Sequence, residues 1–154
     1  GLIDIFEKCF REDNKCVLLW AGTGDMEEEA KAYVKEKGLE EHVRFLGVRN
    51  DINEIMQASD AFLLPSIYEG LPIVAGEAQA AGLPCFLSET ISQETKIINS
   101  LVKFLPLDEP ETWKEEIFQI RETERVSRKK EIIDAGYDLN HQQGNLEKLL
   151  KKIL

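Results

Sequence analysis

Short apolar segments alternate along this chain with longer stretches in which apolar residues recur at helical spacing. Five segments have the length and composition of buried strands: 16–21, 43–46, 61–64, 85–87 and 102–105. The stretches between them carry helical patterns, and the first of these begins at Leu2. Strands that alternate with helices pair in parallel, because each helix carries the chain back to the start of the next strand. The sequence therefore predicts an α/β fold with parallel strands and crossover helices.

Length and composition indicate one domain over residues 1–154. Hydrophobic residues make up 43% of the chain, yet no apolar run approaches the roughly 18 residues of a membrane span. The formal net charge of −10 argues against nucleic-acid binding, which depends on clustered basic residues. The three cysteines form no C-x-x-C pair, so we expect neither a disulfide framework nor a zinc site. Charged residues interrupt the apolar N-terminus, which argues against a signal peptide, and a cytoplasmic location is predicted.

The segment after the third predicted strand has the features of an anion site. Gly70 and Pro72 mark a turn, and a helix is predicted from Leu71 to Ala81. The N–H groups of a first helical turn have no partner within the helix. Residues 73–76 are all neutral, so nothing there competes with a phosphate for the positive end of the helix dipole.

Two glutamates flank this predicted helix start. Glu77 has only apolar residues three and four positions away, so it has no cationic partner on its own helix. A sugar diol could donate two hydroxyl groups to such a carboxylate, and Glu69 could bind hydroxyl groups of a second ring. The alternative is structural: Glu69 would cap backbone N–H groups, and Glu77 would pair with a distant arginine or lysine.

The turn at Gly22 and Gly24 only partly matches the dinucleotide-binding fingerprint. The third glycine of that motif is replaced by Glu27, and acidic side chains there would repel a pyrophosphate. We therefore expect a structural role for the following helix, with Asp25 as its cap, a Glu27–Lys31 pair and Gly38 as its end. The two histidines, His42 and His141, show no triad or metal spacing.

Residues 66–84 read S-I-Y-E-G-L-P-I-V-A-G-E-A-Q-A-A-G-L-P, which resembles the E-x7-E signature of retaining, GT-B type glycosyltransferases of the GT4 family (group 1). Further stretches are similar to that family in the same order: 17–24, 43–47, 51–60 and 84–88. The resemblance covers residues 2–105 well. It implies the C-terminal, donor-binding half of a GT-B enzyme, which is a Rossmann-like doubly wound parallel sheet with helices on both faces.

The resemblance also implies roles for individual residues. Glu69 is the candidate catalytic residue, which contacts the donor sugar without acting as a base, and Glu77 holds the ribose hydroxyl groups. The other implied donor-binding positions lie in loops that follow strands: Gly22, Gly24, Val48, Arg49, Gly70, Leu71 and Pro72. Loop 48–49 would lie along the nucleobase, and backbone N–H groups around Leu71 would face the phosphates. A UDP- or GDP-linked sugar is the implied donor, with no cofactor and no metal.

One part of the family pattern is missing. Such proteins carry a strand and a turn with an arginine and a lysine just before the segment that matches 2–10, and this chain begins after it. We expect the sheet to lack its first strand near the middle, so that the other strands close the gap or another chain fills it, as in a dimer formed by strand pairing. Without those cations we expect weak donor binding and no activity of this piece alone.

The expected function is binding of a nucleotide-activated sugar for retaining transfer to a polysaccharide or glycolipid acceptor, with the acceptor domain absent from this chain. Two alternatives remain: a non-catalytic interaction domain that keeps the fold, and a fragment of a nucleotide-sugar epimerase. A C-terminal apolar stripe at 146–154 is expected to pack on this domain or on the acceptor half. Its lysines leave open a peripheral contact with the inner membrane face.

Overall fold

The computed structural model describes residues 1–120 and 128–134. The strands are β1 (Leu18–Ala21), β2 (Val43–Gly47), β3 (Phe62–Leu64), β4 (Cys85–Ser88) and β5 (Val102–Leu105). The helices are α1 (Leu2–Glu12), α2 (Glu27–Glu36), α3 (Ile52–Ala58), α4 (Ile73–Ala80), α5 (Pro110–Gln119) and α6 (Lys129–Asp134), with a 3-10 turn at Gln93–Thr95. The five predicted strands are confirmed. His141 and the predicted stripe at 146–154 lie outside the described residues.

The strands form two parallel sheets. One contains β1 and β2, and the other has the order β3-β4-β5. Within the described chain, β1 and β3 share no ladder, so the sheet is interrupted where the resemblance implies a further strand. The strands have therefore not closed that gap. Pairing with a second copy across it stays a prediction.

Helix α1 packs against both sheets. Its Ile3 and Phe6 lie in the apolar cluster of β1 and β2, whereas its Ile5 is buried against Phe86 of β4. One amphipathic helix thus spans the interruption, because neighbouring positions on its apolar face meet different sheets.

Helices cover both faces of the three-stranded sheet, as predicted. Alternate residues of β4 point to opposite faces, so Leu87 packs with Met56 and Ala75 while Phe86 packs with Trp113 of α5. The Trp113 side chain is fully buried, and its indole N–H donates to the Pro106 carbonyl over 2.7 Å. None of the helices in residues 1–120 and 128–134 is long and apolar enough to cross a membrane.

The ends of α2 differ in how well the sequence predicted them. The helix stops at Gly38 (φ +68°), whose N–H donates to the Lys35 carbonyl while the next N–H, of Leu39, donates to the Val34 carbonyl. These two bonds form a Schellman motif and confirm the predicted stop. The predicted pair of Glu27 with Lys31 is also confirmed, at 2.8 Å.

The predicted Asp25 cap is wrong. The residue at the N-cap position is Met26, and no side chain caps the helix. A backbone turn causes the shift: the Glu27 N–H donates to the Gly24 carbonyl, and the chain enters the helix one residue later than expected.

Replacing Gly38 with alanine should lower the free energy of unfolding by about 1–2 kcal/mol, the cost of a β-carbon in a left-handed conformation. The new methyl group itself would meet open space, so the effect isolates backbone strain. Urea unfolding measures the change. Gly70→Ala is the matched control, because Gly70 has no positive φ and also faces open space. Equal stability of the two variants would contradict the prediction.

Candidate functional site

The predicted site residues lie beyond the carboxyl ends of strands. Parallel strands place these ends at one edge of their sheet, which is where α/β proteins bind ligands. Gly22 and Gly24 follow β1, Val48 follows β2, and the segment 65–72 joins β3 to α4.

The first turn of α4 is open to an anion. The helix begins at Ile73, two residues later than predicted, because Pro72 is extended and occupies the N-cap position. The Ala75 N–H donates to the Pro72 carbonyl over 3.1 Å, while the N–H groups of Ile73 and Val74 have no acceptor among the described residues. Pro72 has no N–H to offer, so the free donors of this helix end are those of residues 73 and 74. No acidic residue occupies the first turn.

Both glutamates beside this helix end are available to a ligand. Glu69 is half-buried and Glu77 is exposed. Neither carboxylate makes a hydrogen bond or ion pair with any other residue in 1–120 or 128–134, and no side chain caps α4. The structural alternative, in which Glu69 caps the helix and Glu77 pairs with a basic side chain, is therefore not seen in this part of the chain.

The loop that carries Glu69 is fixed to the segment after β4. The Ser66 carbonyl accepts hydrogen bonds from Ser88 Oγ (2.5 Å) and Thr90 Oγ1 (2.7 Å). Three residues further on, the backbone of Glu69 forms an isolated parallel bridge with Ile91. The sequence alone predicted no role for Ser88 or Thr90. The one local signal of such a role is that Ser88 is a polar residue at the end of an otherwise apolar strand.

The body of α4 is tied to the same part of the chain by Gln79, which is fully buried. Its side-chain N–H groups donate to the carbonyls of Ala75 (3.0 Å) and Thr95 (2.8 Å). Its carbonyl oxygen accepts from the N–H groups of Ile97 (3.0 Å) and Ile98 (2.8 Å). A single amide thus binds four backbone groups, which lie in α4 and in the segment 95–98.

Gly22 and Gly24 belong to a different part of the edge. Gly22 has φ +111°, a conformation that suits glycine, and its N–H donates to the Gly47 carbonyl over 2.8 Å. Both glycines border a cavity of about 550 Å³ whose other lining residues are Ile3, Trp20, Thr23, Met26, Glu27, Glu29, Ala30 and Tyr33. Neither Glu69 nor Glu77 lines this cavity. The acid pair and the glycine turn follow strands on opposite sides of the interrupted sheet.

Val48 and Arg49 follow β2. The Val48 side chain is 78% exposed. The Arg49 guanidinium binds the Asp51 carboxylate through two bonds of 2.8 and 2.5 Å, and this contact lowers the pKa of Asp51. The pair neutralises the Arg49 charge locally but uses only two of the five N–H donors of the guanidinium, so the others and the backbone are open to a ligand.

The side chains of Cys85 and His42 are less suited to take part in a reaction. Burial raises the pKa of the Cys85 thiol to about 12, so it stays protonated at neutral pH. His42 contacts the Phe10 ring in a tilted arrangement, with 4.3 Å between ring centroids and 47° between the ring planes. Within the described ranges, no three histidine, cysteine, aspartate or glutamate residues come together as a metal site.

Comparison with known proteins gives consistent matches. The family model described as "Glycosyl transferases group 1" matches residues 1–138. The chain is 38% identical over 133 residues to putative glycosyltransferase EpsF of Bacillus subtilis, covering 84% of this chain and 35% of that protein. It is 38% identical over 90 residues to the UDP-Gal:alpha-D-GlcNAc-diphosphoundecaprenol alpha-1,3-galactosyltransferase of Escherichia coli, covering 58% and 23% of the two chains. It thus spans about a third or less of these relatives.

Solved structures show the same fold. The pneumococcal O-GlcNAc transferase GtfA, in complex with UDP and GlcNAc, superposes with a TM-score of 0.78 at 14% identity, over 99% of this chain and 32% of that one. Staphylococcus aureus TarM, also bound to UDP, superposes with a TM-score of 0.76 at 18% identity, over 97% and 31% of the two chains. These likenesses confirm the predicted fold, half of a GT-B enzyme with a parallel sheet between helices.

Proposed function

This chain belongs to the glycosyl transferases group 1 family, and from that premise we propose that residues 1–154 bind the nucleotide-sugar donor in a retaining glycosyl transfer. The observation that carries the proposal is the open first turn of α4 with a carboxylate on either side. An amide-lined helix end suits a diphosphate, and carboxylates without protein partners suit sugar hydroxyl groups.

In the proposed complex each group meets one part of the donor. The N–H groups of Ile73 and Val74 bind the diphosphate, beside the turn formed by Gly70, Leu71 and Pro72. Glu77, one turn into the helix, holds the ribose hydroxyl groups. Glu69, on the loop before it, contacts the transferred sugar and positions it for the reaction.

The nucleobase lies along the backbone of Val48 and Arg49, which follow β2. Gly22 and Gly24, which follow β1, leave room for the nucleotide on that side of the interruption in the sheet. A β-carbon on Gly24 or Gly70 would meet nothing within 4 Å, so the backbone is bare at both turns. UDP is the preferred carrier, because the solved structures of GtfA and TarM contain it, and GDP is the alternative. The proposed chemistry uses no resident cofactor or metal.

The complete enzyme would transfer the sugar to a polysaccharide or glycolipid acceptor at the cytoplasmic membrane face, with an acceptor-binding half in addition to this domain. Support comes from the relatives, one of which is named for a diphosphoundecaprenol acceptor and another as a lipopolysaccharide 1,6-galactosyltransferase of Salmonella typhimurium. The length of these relatives leaves room for that second half.

Calorimetric titration with UDP, GDP and ADP tests the donor proposal. We expect UDP to give the strongest response. Glu77→Gln should weaken UDP binding by about tenfold or more, the value of a hydrogen bond to a charged group. Glu89→Gln is the matched control, because Glu89 is also exposed at this edge and its loss changes the net charge equally.

Two outcomes would count against the proposal. If none of the three nucleotides binds at millimolar concentration, the domain does not hold a nucleotide donor and the interaction-domain alternative is preferred. If Glu77→Gln and Glu89→Gln bind UDP equally well, the ribose role of Glu77 is wrong.

A further inference from the structure

We propose that Ser88 and Thr90 are positioning residues, whose hydroxyl groups hold the Ser66 carbonyl and thereby set the place of the Glu69 carboxylate. The proposal rests on the proposed function in so far as Glu69 contacts the donor sugar. The attachment itself rests on contacts between the loop after β3 and the segment after β4.

The hydroxyl groups converge on one acceptor. Ser88 Oγ lies 2.5 Å and Thr90 Oγ1 lies 2.7 Å from the Ser66 oxygen, and the two hydroxyl oxygens are 3.0 Å apart. A carbonyl oxygen has two lone pairs, so it can accept from both hydroxyl groups at once. The Ser66 carbonyl is thereby fixed in two directions.

The two hydroxyl groups have different surroundings. Ser88 is fully buried at the end of β4, so its position is set by the sheet. Thr90 is exposed, and packing in the core does not require a threonine there. The Thr90 hydroxyl at this exposed site contacts the Ser66 carbonyl, in the loop that carries Glu69, and the Ser88 hydroxyl.

The attachment at Ser66 is close enough in the chain to influence the position of Glu69. Two residues separate Ser66 from Glu69, and the second attachment, the bridge between Glu69 and Ile91, lies at the far end of the same short span. Ile91 is buried, with 2% of its surface exposed, and anchors that bridge in the core. Fixing both ends leaves the intervening residues, Ile67 and Tyr68, exposed while the Glu69 backbone is held.

The test compares Thr90→Val, which removes the hydroxyl but keeps the shape, with Thr90→Ser, which keeps the hydroxyl. Ser88→Ala combined with Thr90→Val removes both donors. Thr112→Val is the matched control, because the Thr112 hydroxyl also bonds a nearby acceptor, Glu109, away from this edge. Two measurements are made on each variant: ¹⁵N order parameters of residues 67–71 in this chain, and donor kcat and KM in the complete enzyme.

We expect the double variant to lower the order parameters of 67–71 from about 0.85 toward 0.6, with intermediate values for Thr90→Val and recovery in Thr90→Ser. In the complete enzyme, kcat should fall by about 10- to 100-fold, as for other residues that orient a functional group, while KM for the donor changes little because Glu77 and the α4 amides are intact. Thr112→Val should match the unmodified protein in both measurements.

The two measurements separate this proposal from the donor proposal. Unchanged order parameters in the double variant would overturn the positioning role, whatever the activity. Lower order parameters with unchanged kcat would support the attachment and show that Glu69 does not contact the donor. A fall in kcat that Thr90→Ser fails to restore would also overturn the role of the Thr90 hydroxyl.

Discussion

Replacing Glu69 with glutamine should lower kcat of the complete enzyme by about 10²–10³-fold, the usual cost of removing one preorganised electrostatic contact at a reacting group. Glutamine keeps the size of the side chain but removes its charge. The Glu69 carboxylate is half-buried and has no partner in the described part of the chain, so its charge is available to the donor sugar. The change should therefore appear in the chemical step.

Steady-state kinetics with the sugar donor measure this effect, and the melting temperature checks the fold. Glu89→Gln again serves as the control, because it removes the same charge from the next loop of the same edge. If both variants keep the kcat of the unmodified enzyme, Glu69 has no catalytic role. If both lose activity equally, the effect belongs to the general field of the edge and not to a contact made by Glu69.

Gln79→Leu should lower the free energy of unfolding by about 2–4 kcal/mol, because it leaves the buried Ile98 N–H without a partner and removes the other hydrogen bonds of the amide. The Ile97 N–H keeps its second bond, to the Thr95 carbonyl. The groups affected are the Thr95 carbonyl and the N–H groups of Ile97 and Ile98. Leucine is similar in size to glutamine, so loss of packing contributes little. The lost hydrogen bonds account for most of the effect.

Urea unfolding measures the loss, with Gln93→Leu as the control. Gln93 lies in the same segment but is exposed, so its replacement should change stability by less than about 0.5 kcal/mol. A loss below about 1 kcal/mol for Gln79→Leu would show that water or backbone rearrangement replaces the amide.

The local prediction of secondary structure worked where the chain pattern alone is sufficient. The strand at 102–105 has the predicted bounds, and β4 exceeds its prediction by one residue, Ser88. A buried strand needs only an apolar run of the right length, which is visible in the sequence. Helix ends were less accurate: Pro72 delays α4, and a backbone turn at Gly24 displaces the expected Asp25 cap.

The candidate site likewise has some features that the sequence predicted and others that it did not. The neutral first turn of α4 and the absence of a cation near Glu77 on its own helix depend on residues a few positions apart, so the sequence was enough to predict them. The contact of Arg49 with Asp51 is equally local but was not predicted. The attachments of Ser66 and of Gln79 join residues 16 to 24 positions apart, and no periodicity signals them.

From sequence alone came the α/β class, the order of the strands and helices, and the placing of two carboxylates beside an uncharged helix start, because each depends on composition and spacing along the chain. Tertiary structure decided that the sheet is interrupted between β1 and β3, and that buried hydroxyl and amide groups hold the loop of Glu69 and helix α4. Those features depend on which segments, distant in sequence, contact each other in the fold. Only the folded chain brings their hydrogen-bonding groups within reach of each other.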